Sequence, residues 1–485
     1  MKHTIISILF LISGSVNIFS QWQPDVRLTN NPAYSSTYYN SAWSVGASGN
    51  FVHAVWTDLR DNNNEIYYKR STDGGSVWGA DTRLTVNSAS SWNTSLTVSG
   101  SAIHVIWIDD RDGNWEIYYK NSTDDGLTWN ADTRVTNNSS SSEFPSVAVS
   151  GNTISVVWTD NRDGNYEIYC KRSTDSGLNW SAETRLTNNS SFSLTPSVSA
   201  TGSVVNLVWR DNRDGNYEIY YKRSADGGST WSADTRLTND LFDSGDPSVS
   251  ASGSLVYVNW LDSRDENWKI FGKRSTDGGL SWGADTPLTA SPADPAAPSV
   301  WVSGSAVHIA WQDYRDGNYE IYYKRSTDAG SSWGTDTRLS NNSALSEIPS
   351  LTVSGQSVHV IWTDERDGNR EIYYKRDPAG NPAGLINIST EIPKGFSLSQ
   401  NYPNPFNPTT KIKFSIPFGS VLKTDIVRLT IYDNLGREIE TLVNQQLAPG
   451  TYEVDFVGSN LATGTYYYRF TTDVFSETKK MLLVK

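Results

Sequence analysis

The stretch WQDYRDGNYEIYYKR, residues 311–325, decides the fold because the chain repeats it. Its first tryptophan recurs every 51 residues, in seven copies: Trp56, Trp107, Trp158, Trp209, Trp260, Trp311 and Trp362. A fixed period of this size is typical of repeat architectures, in which each unit buries its apolar face against the next. Function then depends on what the units present together and on where one unit differs from the others.

Each unit divides into four strand-like runs. A small-residue run ends in a glycine turn, and a second run leads into the repeated tryptophan. Asp-Gly-Asn supplies a two-residue hairpin, EIYYKR forms the third run, and a fourth reads like residues 231–238, WSADTRLT. Four short antiparallel strands per unit predict the blade of a β-propeller, so the sequence predicts an all-β ring of seven blades, with six blades as the alternative.

The N-terminal region supports closure of the ring. Residues 22–29, WQPDVRLT, match the fourth run of the first unit, residues 78–85, WGADTRLT. The seventh unit stops after Arg376 without such a run. We therefore expect residues 22–29 to complete the last blade of a propeller that spans residues 21–377, which would remove its open sheet edge.

The net charge and the apolar segments of the chain restrict its possible partners and its location. The formal net charge of -13 argues against nucleic acid as a partner, because a phosphate backbone requires a basic surface. Residues 1–20 have a basic start and a short apolar run, which predicts a secretory signal peptide, and no other stretch is apolar enough for a transmembrane segment. The expected product is exported, and is either secreted or attached to the outer-membrane surface.

After the propeller the pattern changes. Residues 378–395 are rich in Pro, Gly and Asn and are interpreted as a linker. In residues 396–485, alternating strands at 411–417, 427–432, 450–456 and 464–470 predict a small β-sandwich.

The turn after the third run reads Ser-x-Asp-x-Gly-x-x-Trp in six units. This pattern resembles the Asp-box, or BNR repeat, of sialidase-like propellers. Its aspartates are expected to cap backbone N–H groups of the turn. They are Asp73, Asp124, Asp175, Asp226, Asp277 and Asp328. In the family these turns lie away from the active centre, so the resemblance implies the fold and says little about function.

The C-terminal segment contains NYPNPFNPTT at residues 401–410, YDNLGRE at 432–438 and GTYYY at 464–468. These motifs resemble the type A sorting domain of type IX secretion cargo, related to Ig-like domains of flagellar hook-capping proteins. The resemblance implies an interaction with the type IX secretion machinery, with the product released or anchored at the cell surface.

No catalytic residue is assigned. Sialidase chemistry, as the family implies it, needs three arginines, a tyrosine paired with a glutamate, and an aspartate. The Arg-Ile-Pro signature of that family is absent, and the Asp-Arg-Asp groups recur in all seven units, which favours intrablade ion pairs. His53, His104, His308 and His359 share one repeat position with Ser155, Asn206 and Tyr257, which indicates packing. No metal ligand or cofactor is assigned, although the oxygen-rich hairpins leave calcium open.

The hairpins should open on the face at which related folds bind ligands. The residue before each motif glutamate varies, and five of seven are aromatic, which suggests either sugar-stacking platforms or packing against the neighbouring hairpin. The ligand-binding candidates are these positions and one unit-specific arginine: Trp115, Tyr166, Tyr217, Trp268, Tyr319, Arg370 and Arg210.

Three functions follow as hypotheses. The leading one is non-catalytic binding of glycan or surface-protein ligands by a multivalent ring. The alternatives are an exo-acting sialidase or related glycoside hydrolase, and a structural spacer on the cell surface.

Overall fold

The computed structural model describes residues 22–37, 43–264, 267–290, 294–378, 386–389, 393–417, 427–445, 450–458, 461–472 and 474–484. The predicted signal peptide, residues 1–20, and most of the predicted linker, residues 378–395, lie outside these ranges. The described secondary structure consists of strands, which confirms the all-β class.

Seven repeat sheets account for the described residues up to 378, and each has an inner, a second, a third and an outer strand in antiparallel order. The inner strands are β3 Val45–Ser48, β7 Ser91–Ser99, β11 Ser142–Ser150, β15 Ser193–Thr201, β19 Ser244–Ser252, β23 Pro295–Ser303 and β27 Ser346–Ser354. The second strands are β4 Phe51–Asp58, β8 Ala102–Asp109, β12 Thr153–Asp160, β16 Val204–Asp211, β20 Leu255–Asp262, β24 Ala306–Asp313 and β28 Ser357–Asp364.

The third strands carry the EIYYKR phrase. They are β5 Glu65–Ser71, β9 Glu116–Ser122, β13 Glu167–Ser173, β17 Glu218–Ser224, β21 Lys269–Ser275, β25 Glu320–Ser326 and β29 Glu371–Asp377. The outer strands are β1 Val26–Arg27, β6 Thr82–Arg83, β10 Thr133–Arg134, β14 Thr184–Arg185, β18 Thr235–Arg236, β22 Thr286–Pro287 and β26 Thr337–Arg338. The first sheet has one further strand, β2 Ser35–Ser36, which pairs with β4.

The sheets are arranged as propeller blades around a ring. Each inner strand contacts the inner strand of the next sheet, and β27 contacts β3. Seven buried apolar clusters lie between neighbouring sheets, and the repeated tryptophans, at most 1% exposed, lie within or beside them. Each 51-residue unit therefore contributes one face of its sheet to the core on either side. A unit alone could not bury these apolar faces, so it would not be stable.

The last sheet is completed by the N-terminal strand. β1 pairs with β29, with Val26 opposite Tyr374 and Arg27 opposite Tyr373. Asp25 accepts ion pairs from Arg366 and Lys375, both at 2.7 Å. Residues 22–29 thus lie where their match to residues 78–85 places them.

Two local features differ from the sequence expectation. The outer strands are two residues long, because residues such as Asp234 turn aside to pair with Arg213 and Lys222. The hairpin loops are also longer than a two-residue Asp-Gly turn, because strand pairing ends at Asp313 and Glu320 and leaves residues 314–319 as the loop.

Differences between repeat units at two facing positions compensate for one another. In four sheets a histidine of the second strand contacts a tyrosine of the third, as in His104 Nδ1 and Tyr119 Oη at 2.7 Å. In the fifth sheet Gly272 replaces the tyrosine, and the ring of Tyr257 from the second strand fills the space that a side chain there would need. An aromatic side chain therefore fills the same space in each case, although in the fifth sheet it comes from the second strand and not from the third.

The C-terminal segment forms two further four-stranded sheets, in the orders β30-β35-β32-β31 and β34-β33-β36-β37. Their strands are β30 Ile386–Ser389, β31 Ser397–Leu398, β32 Thr409–Ile416, β33 Val427–Tyr432, β34 Glu438–Gln445, β35 Gly450–Val457, β36 Gly464–Thr471 and β37 Ser476–Leu483. One buried cluster, which includes Ile412, Leu429 and Phe470, joins residues of both sheets. Four of these strands, β32, β33, β35 and β36, follow the predicted positions, and the alternation did not single out β30, β31, β34 and β37.

The closing strand should contribute as much stability as an internal outer strand. Leu28 and Leu84 hold equivalent positions and are each 3% exposed. We expect Leu28→Ala and Leu84→Ala to lower the free energy of unfolding by similar amounts, about 2–4 kcal/mol, in urea unfolding experiments. A loss below about 0.5 kcal/mol for Leu28→Ala beside a full loss for Leu84→Ala would contradict closure by the N-terminal segment.

Candidate functional site

The ring has two faces. The hairpin face carries the loops between second and third strands together with the loops that lead into the inner strands. The Asp-box face carries the glycine turns and the Asp-box turns. This assignment follows from the antiparallel order of each sheet, since alternate connections lie at opposite edges.

The carboxylate that ends each second strand is buried and fully engaged. In the second sheet Asp109 accepts hydrogen bonds from Trp107 Nε1 at 3.0 Å, from Arg111 Nε at 2.8 Å and from Ser91 Oγ at 2.8 Å. Burial alone would raise the pKa of Asp109, but the hydrogen bonds from Arg111, Trp107 and Ser91 lower it below its usual value. An ionised, fully bonded carboxylate of this kind has a structural role.

The arginine of the motif is held on three sides. Arg111 Nη1 donates to Asp132 Oδ2 at 2.9 Å, and its guanidinium lies 4.2 Å from the ring centroid of Tyr118. Asp132 also pairs with Lys120, whose Nζ donates to the carbonyl of Leu84 in the preceding sheet at 2.6 Å. The Asp-Arg-Asp phrase therefore stabilises the hairpin and ties adjacent sheets together, as the intrablade interpretation predicts.

The motif glutamate is also internal. Glu116 is 0% exposed and accepts hydrogen bonds from Arg134 Nη2 at 2.9 Å, from Asn138 N at 3.0 Å and from Thr136 Oγ1. Through these hydrogen bonds the Glu116 carboxylate fixes the outer strand and the loop that leads into the next sheet. The residues of the repeated motif are thus occupied by the fold.

The Asp-box turns have the expected local geometry. Asp124 Oδ1 accepts from Thr128 N at 2.9 Å and from Ser122 Oγ at 2.7 Å, and Ser122 Oγ accepts from Gly126 N at 2.9 Å. Hydrogen bonds from Thr128 and Ser122 lower the pKa of Asp124 to about 2. The same pattern recurs at Asp73, Asp175, Asp226, Asp277 and Asp328.

The ligand-binding candidates are not equivalent. Trp268 is 40% exposed on the hairpin face. Tyr166 packs edge-on against Phe192, and Tyr319 against Tyr314, with centroid distances of 5.9 and 5.2 Å.

The other candidates have protein contacts of their own. Trp115 is half-buried against the core between the second and third sheets. Arg370 pairs with Glu365 at 2.9 Å and with Glu347 at 3.3 Å. Tyr217 lies under Arg210, whose guanidinium is 5.0 Å from its ring centroid.

Exposed aromatic side chains nevertheless concentrate on the hairpin face. Six large aromatic residues of the described ring are exposed there: Tyr34, Trp92, Phe192, Phe242, Trp268 and Tyr314. The Asp-box turns of the opposite face expose aliphatic residues instead, namely Val77, Leu127, Leu178 and Leu280. Four of the six aromatics come from loops that lead into inner strands or from the start of an inner strand, not from the hairpins that the sequence analysis singled out.

The sequence analysis missed a second group, which surrounds the axis. Six inner strands begin with a β-bulge whose residue has a positive φ: Asn93, Phe144, Thr195, Asp246, Ala297 and Ile348. We call these residues, with the residue before each, the inner rim. No two units carry the same pair of residues at the inner rim, whereas most of each unit is nearly constant. This variation among the units is the sequence signal that could have identified the inner rim.

Carboxylates of the inner rim have raised pKa values. Burial raises the pKa of Glu143. Burial also raises the pKa of Asp246, against the opposing effect of Arg210, and that of Glu347, against the opposing effect of Arg370. These groups belong to the third, fifth and seventh sheets and differ from the ionised carboxylates of the repeated motif.

Arg210 occupies a special place beside the inner rim. It lies one residue before the end of the second strand of the fourth sheet, opposite Leu194, and its Nε is buried without a hydrogen-bond partner among the described residues. The guanidinium lies beside Gly245, where a Cβ would be 3.7 Å from Arg210 Nη1, an ordinary contact distance. Unlike the seven motif arginines, Arg210 retains donors for a ligand.

Within the described ranges, no group of three or more His, Cys, Asp or Glu side chains is placed to hold a metal ion. The motif carboxylates are already paired with arginine and lysine. Calcium binding at the hairpins stays a prediction.

Comparison with known proteins agrees with this architecture. Residues 59–259 match the family model described as a BNR repeat-like domain, and residues 400–485 match the secretion system C-terminal sorting domain. The chain therefore contains a BNR repeat-like domain, and a secretion sorting domain follows it. The tail indicates export to the cell surface or the medium through the type IX machinery. No curated protein matches the chain.

Three solved structures illustrate what the chain is similar to. A mutant of Trypanosoma rangeli sialidase displaying trans-sialidase activity is 13% identical, covers 96% of this chain and 90% of its own, and has a TM-score of 0.45. The phage phi92 endosialidase is 10% identical, with 88% and 79% covered and a TM-score of 0.45. The polysaccharide lyase Uly1 is 10% identical, with 73% and 99% covered and a TM-score of 0.50. At these identities each likeness concerns the fold and not the activity.

The described residues contain no helix that is long and apolar enough to cross a membrane.

The buried histidines make stability depend on pH. Burial lowers the pKa of His53 to about 3 and that of His104 to about 4, against an ordinary value of 6.5. The folded protein keeps these rings neutral while the unfolded chain protonates them. Their contribution to stability is therefore present above pH 6.5 and is lost as the pH falls toward 3.

Replacement of one ring should reduce this dependence. Asn206 already takes the histidine position in the fourth sheet and contacts Tyr221 at 2.7 Å. We expect His53→Asn to remove up to about 1.4 kcal/mol per pH unit from the slope of unfolding free energy below pH 6.5. Urea unfolding between pH 4 and 8 measures it, and an unchanged slope would contradict a neutral buried His53.

Proposed function

We propose that this protein is an exported glycan-binding propeller whose hairpin face binds a polysaccharide at or beyond the cell surface. The segregation of exposed aromatic side chains to that face carries the proposal. Aromatic rings present flat apolar surfaces that stack on the faces of sugar rings, and their polar edges tolerate water. Exposed patches of this kind on a soluble domain mark interaction sites.

The arrangement supports a multivalent and asymmetric site. Phe192, Phe242, Trp268 and Tyr314 come from loops of the fourth, fifth, fifth and sixth sheets, so they follow one another around an arc. Arg210 and Asp246 lie at the inner side of the same arc and offer polar contacts to sugar hydroxyls or to an acidic substituent. Several weak stacking contacts along one polymer add to a useful affinity.

The seventh sheet has a different character. Arg370 occupies the variable hairpin position there, and its ion pairs with Glu365 and Glu347 leave it less available than the aromatic positions. This difference supports a ligand path over the fourth to sixth sheets.

Removal of the exposed rings tests the proposal. We expect Trp268→Ala and Tyr314→Ala each to weaken polysaccharide binding roughly tenfold, since a stacked aromatic is worth about 1–2 kcal/mol at an interface. The measurement is calorimetry with whichever polysaccharide a glycan array identifies. Leu178→Ala, which removes an 80% exposed side chain from the Asp-box face, is the matched control and should leave binding unchanged. Equal loss in all three variants, or no binding to any polysaccharide, would refute the proposal.

The inner rim favours a second candidate function, hydrolysis or cleavage of the bound glycan. Glycoside cleavage uses a carboxylic acid that donates a proton to the leaving oxygen, and a raised pKa favours the protonated form. Burial raises the pKa of Glu143 and of Glu347, whereas hydrogen bonds lower the pKa of the aspartates that end the second strands.

Turnover distinguishes the two functions. If the protein is an enzyme, Glu143→Gln or Glu347→Gln should lower kcat by at least 100-fold on fluorogenic glycosides, including a sialoside, with KM little changed. If it is a binding protein, the wild type should release no product while the aromatic variants still lose affinity.

A further inference from the structure

The two sheets of the C-terminal domain present different outer surfaces. On the sheet β30-β35-β32-β31 the exposed side chains of β32 are polar, and Lys411 pairs with Glu453 at 2.9 Å. On the sheet β34-β33-β36-β37 the alternation of β36 and β37 turns Tyr467, Arg469, Thr478 and Leu482 outward. Tyr467 and Leu482 are 37% and 38% exposed.

We call the surface formed by Tyr432, Tyr467, Arg469, Thr478 and Leu482 the tyrosine face. Tyr432 pairs with Tyr467 across β33 and β36, and Arg469 Cζ lies 5.0 Å from the ring centroid of Tyr432. Arg469 Nε donates to Thr478 Oγ1 at 3.1 Å, which fixes the guanidinium over the tyrosine. An open pocket at the end of this face is completed by the turn that carries Leu435, which is 75% exposed.

The tyrosine face carries positively charged side chains, whereas the whole chain has a negative net charge. The chain has a formal net charge of -13. Arg469 has no carboxylate partner among the described residues, and neither does the exposed Lys480, which lies opposite Tyr467. The carboxylate of Glu438, which lies opposite Tyr432, accepts a hydrogen bond from Thr441. The face therefore combines two tyrosines, an exposed leucine, two cations without a carboxylate partner and one carboxylate at its edge.

We propose that the tyrosine face is the surface by which the sorting domain docks on the secretion machinery, and that it receives an acidic protein surface. A sorting domain must be recognised by a protein partner, and the other broad surface of this domain lacks exposed aromatic side chains on the strands described. Tyrosine and arginine are enriched in the energetically dominant parts of protein interfaces, because each combines a large apolar area with polar contacts. The unpaired guanidinium of Arg469 then pairs with a carboxylate of the partner, and the tyrosines fill the contact around it.

Export of the full chain tests the proposal. Variants are expressed in a bacterium that exports cargo with such tails, and immunoblots compare the protein in the medium and on the cell surface with the protein held in the periplasm. We expect Arg469→Glu and Tyr467→Ser each to lower the exported fraction at least roughly tenfold, the size of effect that a dominant interface residue gives. Lys413→Glu makes the same charge change on the other sheet and should export like the wild type.

Graded substitution separates docking from folding. Export should fall in the order Arg469→Lys, Arg469→Gln and Arg469→Glu, while the Tm of each purified variant stays within about 2 °C of the wild type. If a variant loses stability, Thr478→Glu at the exposed rim of the same pocket replaces it and should also lower export, because it places a negative charge beside Arg469. Normal export of Arg469→Glu overturns the proposal, as does equal retention of Arg469→Glu and Lys413→Glu. Loss of export with Tyr467→Ser alone also overturns it, because the partner surface would then be apolar and not acidic.

Discussion

Seven buried carboxylates, one at the end of each second strand, are the constraint on which the ring depends. A carboxylate without water is costly unless every oxygen is bonded and a cation is near. Here the indole of the repeated tryptophan, the guanidinium of the motif and a serine of the inner strand satisfy it together, as at Asp109. The phrase Trp-x-Asp-x-Arg persists because these groups must all be present at once.

This requirement explains why the many charged groups of the motif are bonded to one another. The arginine that satisfies the buried aspartate also binds a carboxylate of the outer strand, and that carboxylate orients a lysine toward the preceding sheet. Each unit is therefore joined to its neighbour by ions as well as by apolar contacts. The same chemistry closes the ring, since Asp25 of the N-terminal segment takes the place of Asp132 with Arg366 and Lys375. A closed ring has no terminal unit with an unsatisfied edge.

The function proposed above uses positions that this network does not use. The loops that enter the inner strands are fixed by repeated hydrogen bonds to backbone groups, as at Asn138 N and the carbonyl of Ser140, so several of their side chains can differ from unit to unit. Arg210, Asp246, Glu143 and the exposed aromatics occupy such positions. The sorting tail follows a similar division, with one core shared by both sheets and one outer face that differs from the other.

The sequence by itself determined the all-β class, the period of the ring, the strand that joins its ends and the sorting tail. These features follow from local patterns: the 51-residue spacing of the tryptophans, the match of residues 22–29 to residues 78–85, and the motifs of residues 401–485. Only the tertiary structure decided which side chains are free. Tyr166 and Tyr319 have the same sequence context as Trp268, yet they pack on Phe192 and Tyr314 while Trp268 is exposed. Phe192 comes from the loop into the next sheet, and Tyr314 comes from the variable start of the same hairpin as Tyr319. Exposure therefore depends on neighbouring side chains that the repeat spacing does not reveal.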